Sequence, residues 1–226
     1  MRNVNSNSVV IVYYPHNAGG KCLINSLGLS NGCYLQDIEF VKLQLDNQFT
    51  PELKLATLLT RLDLNDNQTW NDLGLGCQQL FGTNYHDPED FFPEINLISY
   101  KPTLFFIVTH NLNFFEKVND VWPNAKKIYL TNYAKFIEWR SNVPCTRPEE
   151  TELLTQHEFL IWDVESYFDK SQYLTQLETF YSQLGLTDFN QQYVETFYNK
   201  YIETLTKIRE HDINRRLQNE ACDQLR

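Results

Sequence analysis

Buried strand-like runs alternate with helical patterns along this chain, and this alternation restricts the fold more than any other feature. The run SVVIVYY (8–14) is continuously apolar and β-branched and is ended by Pro15, a pattern typical of a strand buried on both faces. Further strands are predicted in PTLFFIVTH, KKIYLTN and EFLIWDV. Strands that alternate with helices form βαβ units, so the sequence predicts an α/β protein: a three-layer sandwich with a mainly parallel central sheet.

Helical patterns lie between and after these strands. In TPELKLATLLTRL, Thr50 is the expected N-cap and the leucines form an apolar stripe at three-four spacing. Gly185 is expected to end the helix in SQYLTQLETFYSQLGL. The last long helix is predicted in QQYVETFYNKYIETLTKI, where Phe197, Tyr198 and Tyr201 indicate core packing. Other helices are predicted from about Gly20 onward, in NFFEKVNDVW and in YAKFIEWR.

Length and charge limit the classes of protein that fit. A chain of 226 residues can bury one substantial core, and no internal repeat is present, so we expect one domain over residues 1–226. The formal charge is −10, and the modest basic stretches KVNDVWPNAKK and KIREHDINRR are interrupted by acids. Nucleic-acid binding normally needs a basic face, so no nucleic-acid partner is predicted. No apolar run reaches the length of a membrane span.

The cysteines indicate the compartment. They are five in number, with no C-x-x-C spacing: Cys22, Cys33, Cys77, Cys145 and Cys222. An odd set without metal-ligand spacing indicates free thiols in a reducing cytoplasm, and MRNVNSNS lacks the apolar segment of a signal peptide. No metal site is predicted either, since His86 has no spaced His or Cys partner. We expect a soluble cytoplasmic protein.

The loop YYPHNAGGKC, between the first strand and the first helix, is the candidate ligand site. Adjacent glycines leave backbone N–H groups unshielded, and a helix N-terminus carries a partial positive charge. Lys21 adds a full charge. An anion site is therefore predicted from the following residues: His16, Asn17, Ala18, Gly19, Gly20, Lys21 and Cys22. A tight strand-to-helix turn with a solvated lysine would show the same pattern.

The match to the nucleotide-binding pattern G-x-x-x-x-G-K-[ST] is partial. Gly20-Lys21 fits it, but Pro15 stands at the first glycine and Cys22 stands at the hydroxyl that would bind Mg²⁺. A thiol is a soft ligand, and Mg²⁺ prefers oxygen, so Mg²⁺-dependent hydrolysis of ATP or GTP is disfavoured.

The proline-led loop YPHNAGGKCL, after a buried strand and before a helix, resembles the phosphosulfate-binding loop of sulfotransferases, a family of the P-loop nucleoside triphosphate hydrolase fold. Pro15 matches the family's proline, and His16 stands where the family has Lys or Arg. LFFIVTHN resembles the strand that ends in the family's proposed catalytic base, here His110. The later stretches NAKKIYLTNYAKFIEWR and FLIWDVESYFDKSQYLTQLETFYSQLGL also follow the family's order, so the resemblance covers most of the chain.

The resemblance implies 3′-phosphoadenosine 5′-phosphosulfate as cofactor. Asn132 lies at the end of the strand that binds the 3′-phosphate in the family, but Thr131-Asn132-Tyr133 replaces the family's Arg-Asn-Pro. Trp139 occupies the register of a family serine, and Arg140 follows it as a candidate replacement for the missing cation. The family's glycine-rich basic loop near the carboxyl terminus is missing, and IREHDINRRLQ is a possible source of cations.

Three functions of different classes follow. The first is sulfuryl transfer to a hydroxyl of a small molecule or glycan, with His110 as base and with Lys21 and His16 on the oxygens of the leaving phosphate. The second is a P-loop small-molecule kinase or nucleotide-binding enzyme, indicated by Gly20-Lys21. The third is a non-catalytic anion-binding or scaffold protein of the same fold, indicated by Thr131 and Trp139. A nucleophilic Cys22 thiol is a further alternative, because helix N-termini lower thiol pKa values.

Overall fold

The computed structural model describes residues 6–15, 18–34, 50–63, 104–141 and 151–224. The strands in this part of the chain are β1 (Val9–Tyr13), β2 (Cys33–Tyr34), β3 (Leu104–Thr109), β4 (Lys126–Thr131) and β5 (Leu160–Asp163). They form one sheet in the order β2-β3-β1-β4-β5, and every neighbouring pair is parallel. The predicted α/β class with a parallel sheet is confirmed.

Seven α-helices lie in the described residues. They are α1 (Gly20–Gly28), α2 (Pro51–Asp63), α3 (Leu112–Val121), α4 (Ala134–Ser141), α5 (Thr151–Gln156), α6 (Lys170–Leu184) and α7 (Gln191–Gln224). Short 3₁₀ turns cover Ser6–Ser8 and Val164–Phe168. Among these helices, none combines the length and the apolar character that crossing a bilayer requires.

Helices cover both faces of the sheet. Val10 and Val12 of β1 face a core built with α1, α2, α6 and α7, while Ile11 and Tyr13 face a second core built with α3 and α5. Successive strand residues point to opposite faces, so a strand covered on both sides must be apolar throughout. This explains why β1 reads as an unbroken apolar run rather than as an alternating one.

Helix ends follow the signals in the sequence. The Thr50 hydroxyl accepts a hydrogen bond from the Leu53 N–H at 3.3 Å, which confirms the predicted N-cap of α2. Gly185 ends α6 with φ of 78°, the left-handed conformation expected of a glycine cap. Asn111 and Asp169 cap α3 and α6 with their side chains.

The structure differs from the sequence-based prediction in three elements. Helix α7 continues to Gln224, although the predicted apolar stripe stops at Ile208. Good helix formers such as Glu, Arg and Gln extend it beyond that stripe. The two-residue strand β2 and the six-residue helix α5 are too short to leave a periodic pattern. The span from about Asp63 to Tyr100 carries turn signals and weak periodicity that predict no element, and beyond Asp63 it lies outside the described residues.

Candidate functional site

The segments predicted to form a site lie at the carboxyl ends of the strands. Strand β1 is central, and its last residue, Tyr13, is in register with Thr109 of β3 and Tyr129 of β4. The loop after β1 therefore lies between the residues that follow β3 and β4, which are His110 and Asn132. In parallel α/β sheets, ligands bind beyond the carboxyl ends of the strands, at the point where the connections from two neighbouring strands run in opposite directions.

Hydrogen bonds within the loop use some of its amides. The Ala18 N–H donates to the carbonyl of Pro15 at 3.0 Å, and the Cys22 N–H donates to the carbonyl of Gly19 at 3.0 Å. Both N–H groups thus close turns of the loop itself, and anion binding by Ala18 and Cys22 stays a prediction. Within the described residues, the N–H groups of Gly19 and Gly20 have no hydrogen-bond partner.

Aromatic rings explain why both glycines are needed. A Cβ at Gly20 would overlap the ring of Tyr14. Gly19 has φ of 80°, and a Cβ there would lie 2.6 Å from the Tyr167 ring and 2.9 Å from the Phe136 ring. One face of the loop is thus packed against protein, so the glycine pair has a packing role whether or not a ligand binds.

Three further loop residues were predicted to hold the anion. His16 and Asn17 lie outside the described residues. Lys21 is the second residue of α1; its side chain is half-buried, and the residue takes part in at least one interaction within the protein. The residue that carries the predicted positive charge thus follows Gly20 directly in the first turn of α1.

The Cys22 side chain points away from the loop into the core. It is fully buried, and its Sγ lies 3.5 Å from the hydroxyl of Tyr173. Burial raises the pKa of the Cys22 thiol to about 12, so the thiolate form is disfavoured. Burial of the protonated thiol therefore argues against a nucleophilic Cys22, and this side chain is directed at Tyr173.

His110 follows the last residue of β3, and its ring is oriented by contacts with Tyr14, the first residue after β1. Its Nδ1 lies 2.8 Å from the carbonyl oxygen of Tyr14, and its ring meets the Tyr14 ring edge-on at 4.5 Å between centroids. A carbonyl oxygen only accepts hydrogen bonds, so Nδ1 donates and carries the proton. In the neutral ring, Nε2 is then the acceptor nitrogen.

Asn132 and Arg140 lie beyond β4. Asn132 is exposed, with φ of 54°, and is the one non-glycine residue with positive φ in the described part of the chain. Arg140 is half-buried in the last turn of α4, and its charge lowers the pKa of Tyr201, which burial raises far more strongly. Both residues already interact with other groups of the protein. Arg140 lies about one helical turn after Phe136, which packs on Gly19.

In the stretch IREHDINRRLQ, Arg209 contacts α4. The Arg209 side chain donates from Nε to the Trp139 carbonyl at 2.6 Å, and its guanidinium lies 5.8 Å from the centre of the Trp139 ring. Arg209 therefore fixes α7 to α4, and Trp139 takes the place of the small serine that the sulfotransferase resemblance would require.

Other predicted features have structural roles. His157 bonds Glu116 at 3.3 Å beside Phe115, on the sheet face opposite α1. Phe197, Tyr198 and Tyr201 are buried, as the helical spacing predicts. Within the described ranges, no group of three His, Cys, Asp or Glu side chains could hold a metal ion. His86 lies outside those ranges.

Sequence reasoning missed the side chains that shape the loop, namely Tyr14, Phe136 and Tyr167. The glycine pair itself is the available signal, because adjacent glycines at a strand-to-helix junction indicate that another group approaches closely. The identity of that group is not local: Tyr167 is 148 residues from Gly19 along the chain.

Comparison with known proteins adds no assignment to this geometry. No protein-family model matches the chain, and no curated protein is significantly similar to it. The function proposed below therefore depends on the described residues and on the order of motifs in the sequence.

Proposed function

We propose that this protein is a sulfotransferase-like transferase that moves a sulfuryl group from 3′-phosphoadenosine 5′-phosphosulfate to a hydroxyl of a small molecule or glycan. The proposal depends on the sulfotransferase-like loop and on the placement of His110 beside it. It also takes the P-loop class of fold as its frame, in which the strand β1, the glycine loop and the helix α1 bind phosphate.

The donor groups of the loop fit one end of this cofactor. The N–H groups of Gly19 and Gly20 lack partners within the described residues, and Lys21 brings a cation to the same helix N-terminus. Backbone N–H groups at a helix N-terminus together with a lysine are suited to phosphate and sulfate oxygens. These three residues would hold the phosphosulfate end and stabilise charge on the leaving phosphate.

The other end of the cofactor has a less complete donor set. Arg140 is the candidate for the 3′-phosphate, and Asn132 stands where the strand β4 ends. Trp139, which precedes Arg140 on α4, stands in the register of the family's serine, so a phosphate held by Arg140 requires a position shifted from that register. The charge of Arg140 remains the feature that favours an anion on this side.

His110 supplies the base. Its Nδ1 proton is held by the Tyr14 carbonyl, so in the neutral ring Nε2 is the basic nitrogen that would take the proton of an acceptor hydroxyl. When bound, the cofactor would supply the sulfuryl group: a bond from the acceptor oxygen to sulfur forms as the bond from sulfur to the phosphate oxygen breaks. The hydroxyl proton passes to Nε2 of His110.

One observation carries the proposal: Tyr14 links His110 to the loop and helix start at residues 14–22, which we call the anion loop. Its carbonyl accepts the His110 Nδ1–H, and its ring packs on Gly20 and against the His110 ring. The base and the amide donors are therefore held by the same residue. Holding reacting groups in fixed relation is a major source of rate enhancement.

A non-catalytic anion-binding or scaffold protein is the second candidate. The rings of Tyr14, Phe136 and Tyr167 give the glycine pair a packing role without any ligand, which favours this alternative. The kinase alternative is disfavoured, because the Cys22 side chain is buried in the core and supplies no oxygen for Mg²⁺.

Calorimetric titration with 3′,5′-adenosine bisphosphate tests the proposal. We expect binding without added metal, and at least tenfold weaker binding for Lys21→Ala. Lys170→Ala is the matched control, because Lys170 is an exposed lysine at the first turn of α6. This variant should bind the bisphosphate as tightly as the wild type does. No binding at millimolar ligand by the folded protein would refute the proposal, and Mg²⁺-dependent binding of ATP instead would support a kinase. Binding without any release of the bisphosphate from 3′-phosphoadenosine 5′-phosphosulfate would support the non-catalytic candidate.

A further inference from the structure

The first turn of α1 is built differently from that of the other long helices. In α2, α3, α4, α6 and α7, the N–H four residues after the N-cap donates to the N-cap carbonyl; the pairs are Lys54 to Thr50, Phe115 to Asn111, Ile137 to Tyr133, Tyr173 to Asp169 and Val194 to Asn190. In α1 the Gly19 carbonyl instead accepts the N–H of Cys22, only three residues on. The turn is therefore tightened at the point where it meets the anion loop.

A side-chain hydroxyl takes the place of the missing partner. The Tyr167 hydroxyl donates to the Gly19 carbonyl at 2.8 Å. The N–H of Leu23, which an ordinary helix would direct at that carbonyl, lies near the Tyr167 phenol, where it partly opposes the rise in pKa that burial causes. A side chain inserted into the helical ladder changes the direction of the neighbouring peptide groups.

The ring of Tyr167 acts on the same residue as its hydroxyl. A Cβ at Gly19 would lie 2.6 Å from this ring, and Gly19 adopts the left-handed conformation that favours glycine. Gly19 is thus held from two sides, by contact with the ring and by the hydrogen bond to its carbonyl. Its carbonyl belongs to the same peptide plane as the N–H of Gly20.

Tyr167 is itself fixed by the rest of the fold. It is 1% exposed, and the Tyr198 hydroxyl of α7 donates to its carbonyl at 2.7 Å. Burial raises the pKa of the Tyr167 phenol well above its usual range, which keeps the hydroxyl protonated as a donor. The orientation of the Gly19–Gly20 peptide therefore depends on a hydroxyl delivered from a distant segment.

We propose that Tyr167 is the positioning residue of the anion loop: its hydroxyl orients the Gly19–Gly20 peptide so that the Gly20 N–H points toward the bound anion. This inference takes the proposed cofactor site as its setting. Tyr167 does not touch the ligand; it acts through the carbonyl that it binds.

The test compares two variants that each lose one buried tyrosine hydroxyl bonded to an α1 carbonyl. Tyr167→Phe removes the bond to Gly19, and Tyr181→Phe removes a bond of 2.9 Å to the Ser26 carbonyl near the other end of α1. We expect similar losses of thermal stability, but at least tenfold weaker binding of 3′,5′-adenosine bisphosphate only in Tyr167→Phe. Equal affinities in the two variants would overturn the inference.

A ligand-free measurement separates this inference from the proposed function. Amide ¹H–¹⁵N spectra should show the Gly19 and Gly20 signals displaced in Tyr167→Phe and unchanged in Tyr181→Phe. If the wild type binds no bisphosphate, the proposed function fails, and these spectra alone decide the positioning role. Unmoved Gly19 and Gly20 signals in Tyr167→Phe would overturn it.

Discussion

The Nδ1 atom of His110 donates a hydrogen bond of 2.8 Å to the backbone carbonyl of Tyr14. Because the acceptor belongs to the backbone, no substitution of the Tyr14 side chain removes it. The bond fixes both the ring orientation and the tautomer, so that Nε2 is the basic nitrogen. Many metal ligands and general bases among histidines are held in this way.

His110→Asn tests the role of this nitrogen. The asparagine amide can still donate to the Tyr14 carbonyl, but it has no basic atom at the place of Nε2. We expect the rate of bisphosphate release from 3′-phosphoadenosine 5′-phosphosulfate, measured with hydroxyl acceptors present, to fall by about 10²–10⁴-fold. The control is His157→Asn, since His157 pairs with Glu116 on the other face of the sheet. A wild-type rate in His110→Asn would exclude this histidine as the base.

The Tyr14 ring determines the effect of a side chain at Gly20. In an open helical position, Gly→Ala raises stability by about 0.5–1 kcal/mol. At Gly20 the new Cβ would overlap the Tyr14 ring, and overpacking typically costs about 1–3 kcal/mol. We therefore expect Gly20→Ala to lower the free energy of unfolding by about 1–2 kcal/mol in urea titrations.

A variant that lacks the Tyr14 ring tests whether this ring causes the loss of stability in Gly20→Ala. In Tyr14→Ala, the ring is gone, and Gly20→Ala should then stabilise by about 0.5–1 kcal/mol. Gly185→Ala serves as a comparison without a clash, because no atom lies within 4 Å of its added Cβ and only the φ of 78° opposes the change. Stabilisation by Gly20→Ala in the wild-type background would show that the ring yields without cost.

Local patterns were sufficient for most strands and helices in the part of the chain that the structure describes. The β1 run, the Thr50 cap and the Gly185 cap are each set by a few neighbouring residues, and the structure confirms all three. The position of His110 at the end of β3 also follows from the strand pattern. Parallel pairing then brings His110 beside the loop without any further information.

The orientation of the loop could not be predicted in this way. A strand-to-helix turn does not specify which helix face meets the core, and here Cys22 and Ser26, four residues apart, both meet Tyr173. The contact of Tyr167 with Gly19 joins segments 148 residues apart. Such contacts depend on the packing of α1 against the 3₁₀ turn after β5, which no local sequence signal encodes.

Burial makes two thiols unreactive. Cys22 and Cys33 are both fully buried, and burial raises the pKa of each to about 12. We expect neither to react with iodoacetamide at pH 8 in the folded protein, whereas both should react in denaturant. Peptide mass spectrometry after labelling measures this. Modification of Cys22 in the folded protein would mean that α1 opens at its N-terminus.

Lys54 occupies an unusual position for a lysine. It is 1% exposed, and its Nζ donates to the carbonyls of Ser30 and, at 3.0 Å, Cys33. Burial lowers the pKa of Lys54 to about 8, although the nearby Cys33 and Asp188 act in the opposite direction. The Asp188 carboxylate accepts the Ser30 hydroxyl and the Asn31 N–H, each at 2.6 Å, so the whole turn before β2 depends on these two charged side chains.

The lowered pKa of Lys54 gives folding a defined dependence on pH. Between pH 8 and 10.5, the unfolded chain binds the Lys54 proton and the folded protein does not, so stability from this group rises with pH and is constant below 8. Cys22 and Cys33 act oppositely above pH 9, because their pKa values are raised on folding. Comparing the wild type with Lys54→Met largely cancels the contributions of the two thiols, which both proteins contain. The difference in unfolding free energy between the two should grow in favour of the wild type by about 3 kcal/mol from pH 8 to 10.5. Urea titrations across this range measure it, and a difference that stays constant would mean that Lys54 is protonated alike in both states.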